Sequence, residues 1–189
     1  MFKKIQILLI LNFFALNLIA QESDSITFKK NLDEVSVNAL RANEKTPISF
    51  TNISKSEIKK SNLGQDLTYL ISLTPSVVTT SDAGAGIGYT GLRVRGTDPS
   101  RINVTINGIP INDSESQGVW WVNMPDFASS LDNIQIQRGV GTSTNGAAAF
   151  GASINLKTMG LNQKAYTITN NSVGSFNTLK NNIEFGSGL

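Results

Sequence analysis

At 189 residues, with 40% hydrophobic and 16% charged, the chain is long enough to bury the core of one domain and leave some length for appendages. A net charge of +2, with no basic block and no arginine run interleaved with aromatics, gives nucleic-acid binding no electrostatic support. Cysteine and histidine are both absent, which excludes thiol nucleophiles, Ser-His-Asp chemistry, the usual zinc sites and a disulfide framework, and no cofactor is expected.

The first twenty residues read as a cleaved secretory signal peptide. Lys3 and Lys4 form a positive start, residues 5–20 form an apolar stretch broken only by Gln6, Asn12 and Asn17, and Ala20 offers a small residue at the cleavage point. That stretch is shorter than the roughly 20 residues a spanning helix needs. Residues 21–31 are polar and aperiodic, as in a flexible extension. Within the extension, residues 32–38 (LDEVSVN) alternate apolar and polar, which suits either an edge strand of the domain or a strand kept free to join a partner's sheet.

Folded structure is expected from about Pro47. Ser54 and Glu57 have capping-box spacing ahead of Ile58, while Leu63, Leu67, Leu70 and Ile71 recur at helical spacing until Pro75 ends the region. The following segment, SDAGAGIGYTGLRVRGTD, contains Gly86, Gly88 and Gly91 in the G-x-G-x-x-G spacing of a dinucleotide-binding turn. Such a turn needs a helix opening at its last glycine, whereas residues 92–95 alternate like a half-exposed strand that Gly96 and Pro99 then stop. The glycines are therefore read as a loop needing unusual backbone angles.

Residues 92–95, 102–106, 134–137 and 154–156 are predicted strands with one apolar face and one face of Arg, Asn, Thr and Gln. Asn107 and Gly108 form a turn pair, with Pro110 as a rigid extended step after it, and residues 126–131 are a short helix candidate. Gly96, Gly139, Gly146 and Gly151 mark further turns or close backbone approaches. The expected fold class is α+β: a small mixed sheet of about four strands covered by short helices, over about residues 45–158. Residues 166–173 and 176–185 then read as two long, polar-rich strands joined at Gly174, in the alternating pattern of a transmembrane barrel wall.

In this order, DEVSV (33–37), Pro47 with its helices, LRVRG (92–96), VTINGIPIN (104–112), IQIQRG (134–139) and NGAAAFG (145–151) resemble the N-terminal part of a TonB-dependent outer-membrane receptor. The resemblance implies a plug domain inside a 22-stranded barrel, roughly the size at which outer-membrane transporters enclose a plugged lumen. On that reading residues 159–189 supply the first two barrel strands and the rest of the barrel is missing. The resemblance also implies an outer-membrane location with a periplasmic N-terminus, no enzymatic activity, and active uptake of a scarce solute, a ferric siderophore or other iron chelate. Cobalamin and other chelates stay open.

The resemblance further assigns roles. Asp33, Glu34, Val35, Ser36 and Val37 fall where the TonB box lies, the segment gripped by TonB with its ExbB/ExbD energy complex. The ten residues from Val37 to Pro47 let it reach roughly 30 Å when extended. Arg95 and Arg138, with Arg93 as a weaker third, fall where arginines lock a plug to glutamates of the barrel wall. Gly86, Gly88 and Tyr89 lie on one ligand-contact loop, and Gln117, Trp120 and Trp121 on a second. Adjacent extended residues point opposite ways, so one tryptophan is expected to pack inward and the other to face the lumen or ligand. Two rival readings remain: a soluble periplasmic plug-like binding or signalling module, and a hydrolase using Asp113 and Glu115.

Overall fold

The computed structural model describes residues 41–141, 146 and 148–188, so the signal-peptide and TonB-box assignments lie outside the described residues. In chain order the elements are β1 (Ser49–Ser54), α1 (Lys55–Ser61), α2 (Leu67–Leu70), β2 (Val77–Ser81), β3 (Thr90–Val94), β4 (Ile102–Ile106), β5 (Ile109–Pro110), β6 (Leu131–Arg138), β7 (Ala152–Thr158), β8 (Tyr166–Val173) and β9 (Leu179–Gly186). Short 3-10 turns occupy Pro99–Arg101, Trp121–Asn123 and Phe127–Ser130.

The main sheet is mixed and runs β1-β6-β7-β4-β5, with β4 and β7 parallel and every other pair antiparallel. Three of the four expected strands lie in it. The fourth, β3, instead pairs with β2 in a separate two-stranded ribbon, and β1 and β5 take the two edges. Register aligns Thr51, Ile136, Ile154 and Val104 across the four longer strands, so their side chains share one face. A bulge between Leu131 and Asn133 lets Leu131 join Ile134 and Ile136 on that face despite the odd spacing.

That face carries the core. Ile58 of α1, Leu67 and Leu70 of α2, Leu92 and Val94 of β3, and Trp121 cover it. Each fully buried isoleucine contributes roughly 1.5–3 kcal/mol by leaving water. The opposite face is polar, yet it too is buried: Asn103, Thr105, Gln135, Gln137, Ser153 and Asn155 are all withdrawn from solvent. Thr105 Oγ1 donates to Asn155 Oδ1 at 2.8 Å, and Gln137 Nε2 donates to Gln135 Oε1 at 2.9 Å, forming amide and hydroxyl pairs along the sheet.

The Ser54 capping box is complete: Ser54 Oγ accepts from the Glu57 N–H, and the Glu57 carboxylate accepts from the Ser54 N–H at 2.8 Å. Ser54→Ala is expected to lower unfolding free energy by about 1 kcal/mol in a denaturant titration. The helical region does not run through to Pro75 as one pattern. It breaks at Asn62–Gly64, where Gly64 has φ 103, and leaves Leu63 61% exposed rather than packed. Asn107 and Gly108, at φ 51 and 85, close the β4–β5 hairpin, and Pro110 ends its short edge strand.

The terminal hairpin pairs Tyr166 with Gly186 through to Val173 with Leu179. Phe176 lies in its turn, 98% exposed at φ 56, so β9 starts three residues later than the sequence pattern suggests. Val173, Leu179, Ile183 and Phe185 crowd one exposed face. The other face meets the domain through Lys180, whose Nζ donates to Asp126 Oδ1 at 2.6 Å and Ser129 Oγ at 3.0 Å.

Candidate functional site

The first of the two ligand-loop candidates joins β2 to β3. No helix follows Gly91; β3 is already under way at Thr90, so the nucleotide-binding geometry is absent. The loop is pinned at its base, where the Asp66 N–H donates to Gly86 O at 2.9 Å and Thr90 Oγ1 donates to Asp66 Oδ2 at 2.8 Å. Gly86 is required twice over: its φ is 73, and a Cβ there would approach the Tyr69 ring to 2.9 Å. Gly88 has φ 97 with open space around it.

The second loop leaves β5 and is held by Asn112, whose Oδ1 accepts from the Val104 N–H while its Nδ2 donates to Ile102 O and Gln117 O, all at 2.8 Å. Asp113 closes the loop tip by accepting from the Ser116 N–H at 3.0 Å and Ser116 Oγ at 2.9 Å. These Ser116 bonds, backbone first, hold the Asp113 carboxyl below its ordinary range. Its contribution to the turn is therefore present above the usual carboxylate range and lost as pH falls through the depressed value. A carboxylate fixed in the ionised state by its own turn suits a structural cap better than a general acid. Gln117 belongs to the same tip, at φ 57, with Nε2 donating to Ser114 O at 2.9 Å.

Between the loops lies a cleft of about 350 Å³, and Tyr89, Trp120 and Trp121 all line it. Trp121 is 5% exposed and packs into the core, whereas Trp120 is 54% exposed and Tyr89 62% exposed. The division arises because Trp120 sits just ahead of the 3-10 turn that carries Trp121 inward. Gly86, Gly88 and Gln117 are not among the cleft's lining residues; their work is in shaping the loops.

The three arginines differ in setting. Arg93 Nη2 stands 3.8 Å from Asp98 Oδ2, with both side chains about half exposed, a surface pair of little net value. Arg95 lies just past β3 at φ 53, and its Nη1 reaches to within 3.2 Å of where a Cβ on Gly139 would sit. The two arginine-glycine motifs, over forty residues apart, are thus brought together. Arg138 ends β6 and donates to Ser49 Oγ at 2.8 Å and Thr51 Oγ1 at 2.6 Å across the edge strand. Among the described residues neither Arg95 nor Arg138 is in an ion pair.

Gly96, Gly139 and Gly146 have φ 75, 105 and 73, whereas Gly151 is governed by close approach to Thr97. The family model for the TonB-dependent receptor plug domain matches residues 42–153, more than half of the chain. The chain belongs to the TonB-dependent receptor plug family. Over 116 residues this plug is 29% identical to the vitamin B12 transporter BtuB of Vibrio vulnificus (strain YJ016), covering 61% of this chain and 18% of that protein. Its fold is similar to the alcaligin outer membrane receptor FauA of Bordetella pertussis, with TM-score 0.57, 20% identity, and coverage of 75% of this chain and 23% of that one. It is also similar to P. aeruginosa FpvA bound to a heterologous pyoverdine and iron, with TM-score 0.58, 18% identity, and coverage of 76% and 18%. At such identities the structural likeness speaks for the fold, and the chain spans 18 to 23% of the length of these relatives.

Sequence reading missed several residues that build the plug's cleft and its N-terminal anchorage. Asp66 and Tyr69 hold the glycine loop, and only their contacts in space disclose it. Gln135 is the other. It accepts from the Ala42 N–H at 2.8 Å, donates to Ala42 O at 2.9 Å and to Asn52 Oδ1 at 2.8 Å, and so ties the incoming chain to β6. The signal available was a glutamine at a strand position whose apolar neighbours Ile134 and Ile136 face the core.

Proposed function

We propose that the chain acts as the gating plug of a TonB-dependent outer-membrane receptor that takes up a scarce solute, a ferric siderophore or other iron chelate. The observation that carries this reading is an aromatic-walled cleft built from two pinned loops on a domain of the plug family. That the relatives include a B12 transporter and receptors for alcaligin and pyoverdine supports solute uptake over catalysis.

The parts then act in sequence. Residues 1–20 direct export and are removed; residues 33–37 form the TonB box in the extension 21–44; residues 45–158 are the plug; residues 159–189 open the barrel. The hairpin's apolar face, with Val173, Leu179, Ile183 and Phe185, suits lipid, and its polar face suits a lumen. Arg95, whose guanidinium reaches Gly139, and Arg138, both in no ion pair among the described residues, suit glutamates of the enclosing barrel wall as the lock. TonB, energised by ExbB/ExbD, adds a strand to residues 33–37 and pulls.

The test is affinity between the chain and a TonB C-terminal domain, wild type against Val35→Pro. Proline removes a main-chain donor, so strand addition at that position predicts about tenfold weaker binding. Equal affinity for the two would move the coupling segment elsewhere.

A further inference from the structure

The cleft's charge has one sign. Asp82 and Asp98 line it, together with Tyr89 and Trp120, and among the described residues no lysine or arginine does. Arg93, outside the lining, stands 3.8 Å from Asp98 and offsets part of that carboxylate's charge, and Arg101 has its guanidinium carbon 5.7 Å from the Phe150 ring centroid. Asp82 is exposed and is in no ion pair among the described residues. Asp98 is kept in place by the Ser100 N–H at 3.1 Å and Ser100 Oγ at 3.0 Å, both donating to Oδ1, while its Oδ2 stands 3.8 Å from Arg93 Nη2.

Two large exposed aromatics add to this field. The face of an indole or phenol ring is electronegative and attracts cations, the more so when solvent is displaced. An anion entering the same space would lose hydration against the Asp82 carboxylate and the ring faces, and would meet no lysine or arginine in the lining. We infer that this cleft selects a solute carrying positive charge beside an apolar or aromatic surface, and disfavours an anionic chelate of equal size. The inference rests on the plug reading above and narrows its substrate class.

The chain's two tryptophans both line the cleft, so their emission reports occupancy directly. The probes are two gallium(III) complexes of similar bulk, chosen because gallium is redox-silent: desferrioxamine B, which keeps a free ammonium, and a trianionic tris-catecholate. Calorimetry on the full chain gives the affinities. The cationic complex is expected to bind the more tightly, to weaken as salt rises, and to lose about threefold in Asp82→Asn and about tenfold in Trp120→Ala. Both substituted side chains are exposed, so the variants are expected to keep wild-type thermal unfolding. Equal or tighter binding of the trianion, no binding of the cation, or an unchanged affinity in Asp82→Asn would overturn the inference. Val35-dependent TonB binding by the same preparation separates the two levels: if it persists, the plug reading stands and only the charge preference fails.

Discussion

Gln135→Leu is expected to destabilise the domain by about 2–4 kcal/mol and to free the chain at Ala42. The substitution keeps volume while deleting every hydrogen bond of a side chain that is 2% exposed. Four partners lose their bond to it: the Ala42 N–H and carbonyl, Asn52 Oδ1 and Gln137 Nε2. A buried polar group left without a partner costs about 1–3 kcal/mol, but the Ala42 groups can recover part of this by peeling into water. Hydrogen exchange distinguishes the components, since the Ala42 amide should lose protection while amides of β6 and β7 exchange only in proportion to the fall in global stability. A change below about 0.5 kcal/mol, the level of ordinary surface substitutions, would mean that Ala42 is held by something other than this amide. Because Ala42 follows the proposed TonB segment, the same variant is expected to leave TonB affinity unaltered while easing removal of the plug's leading edge.

Gly151→Val is expected to cost about 3 kcal/mol, the upper range for overpacking. A Cβ at this position would come within 2.7 Å of Thr97 Cβ and collide with Thr97 Oγ1. The backbone has little room to yield, because the Gly151 N–H donates to Arg101 O and Gly151 O accepts from the Gly139 N–H, each at 2.8 Å. Thr97 must move instead, and doing so breaks its Oγ1 bond to Val94 O at 2.7 Å. Chemical denaturation of Gly151→Val, Thr97→Gly and the pair gives the coupling. Relief of the clash predicts that the double variant is less destabilised than the sum of the singles. Simple additivity would instead place the cost in the backbone bonds that Gly151 makes to Arg101 and Gly139. The measurement bears on the proposed lock, since Gly151 O holds the Gly139 N–H, next to Arg138 in the chain and within reach of the Arg95 guanidinium.

How much of this was legible beforehand varies by element. β4, β6 and β7 announce themselves because Ile102, Val104, Ile134, Ile136, Ile154 and Leu156 repeat every second residue. β1 does not: its two large apolar residues, Phe50 and Ile53, have opposite parity, and the strand exists because its backbone completes the edge of β6. In β3 the alternation of Leu92 and Val94 identified a strand but not its partner, and β2, with adjacent Val77 and Val78, gave no periodic signal to claim it. Leu63 kept helical spacing with its neighbours, yet the left-handed Gly64 turns the chain before that spacing can be used.

The candidate site divides in the same way. Tyr89, Trp120 and Trp121 were readable as loop aromatics, and the order of the motifs identified the family from residue types alone. Their convergence on one cleft was not readable, nor was the meeting of Arg95 with Gly139, nor the hold of Gln135 on Ala42. Period, caps and turns are properties of residues a few positions apart, so the sequence by itself determines them. Which strand adds to which edge, and which loops then share a wall, depends on complementary surfaces that meet only after distant segments have packed on one core, and that was decided by the tertiary structure.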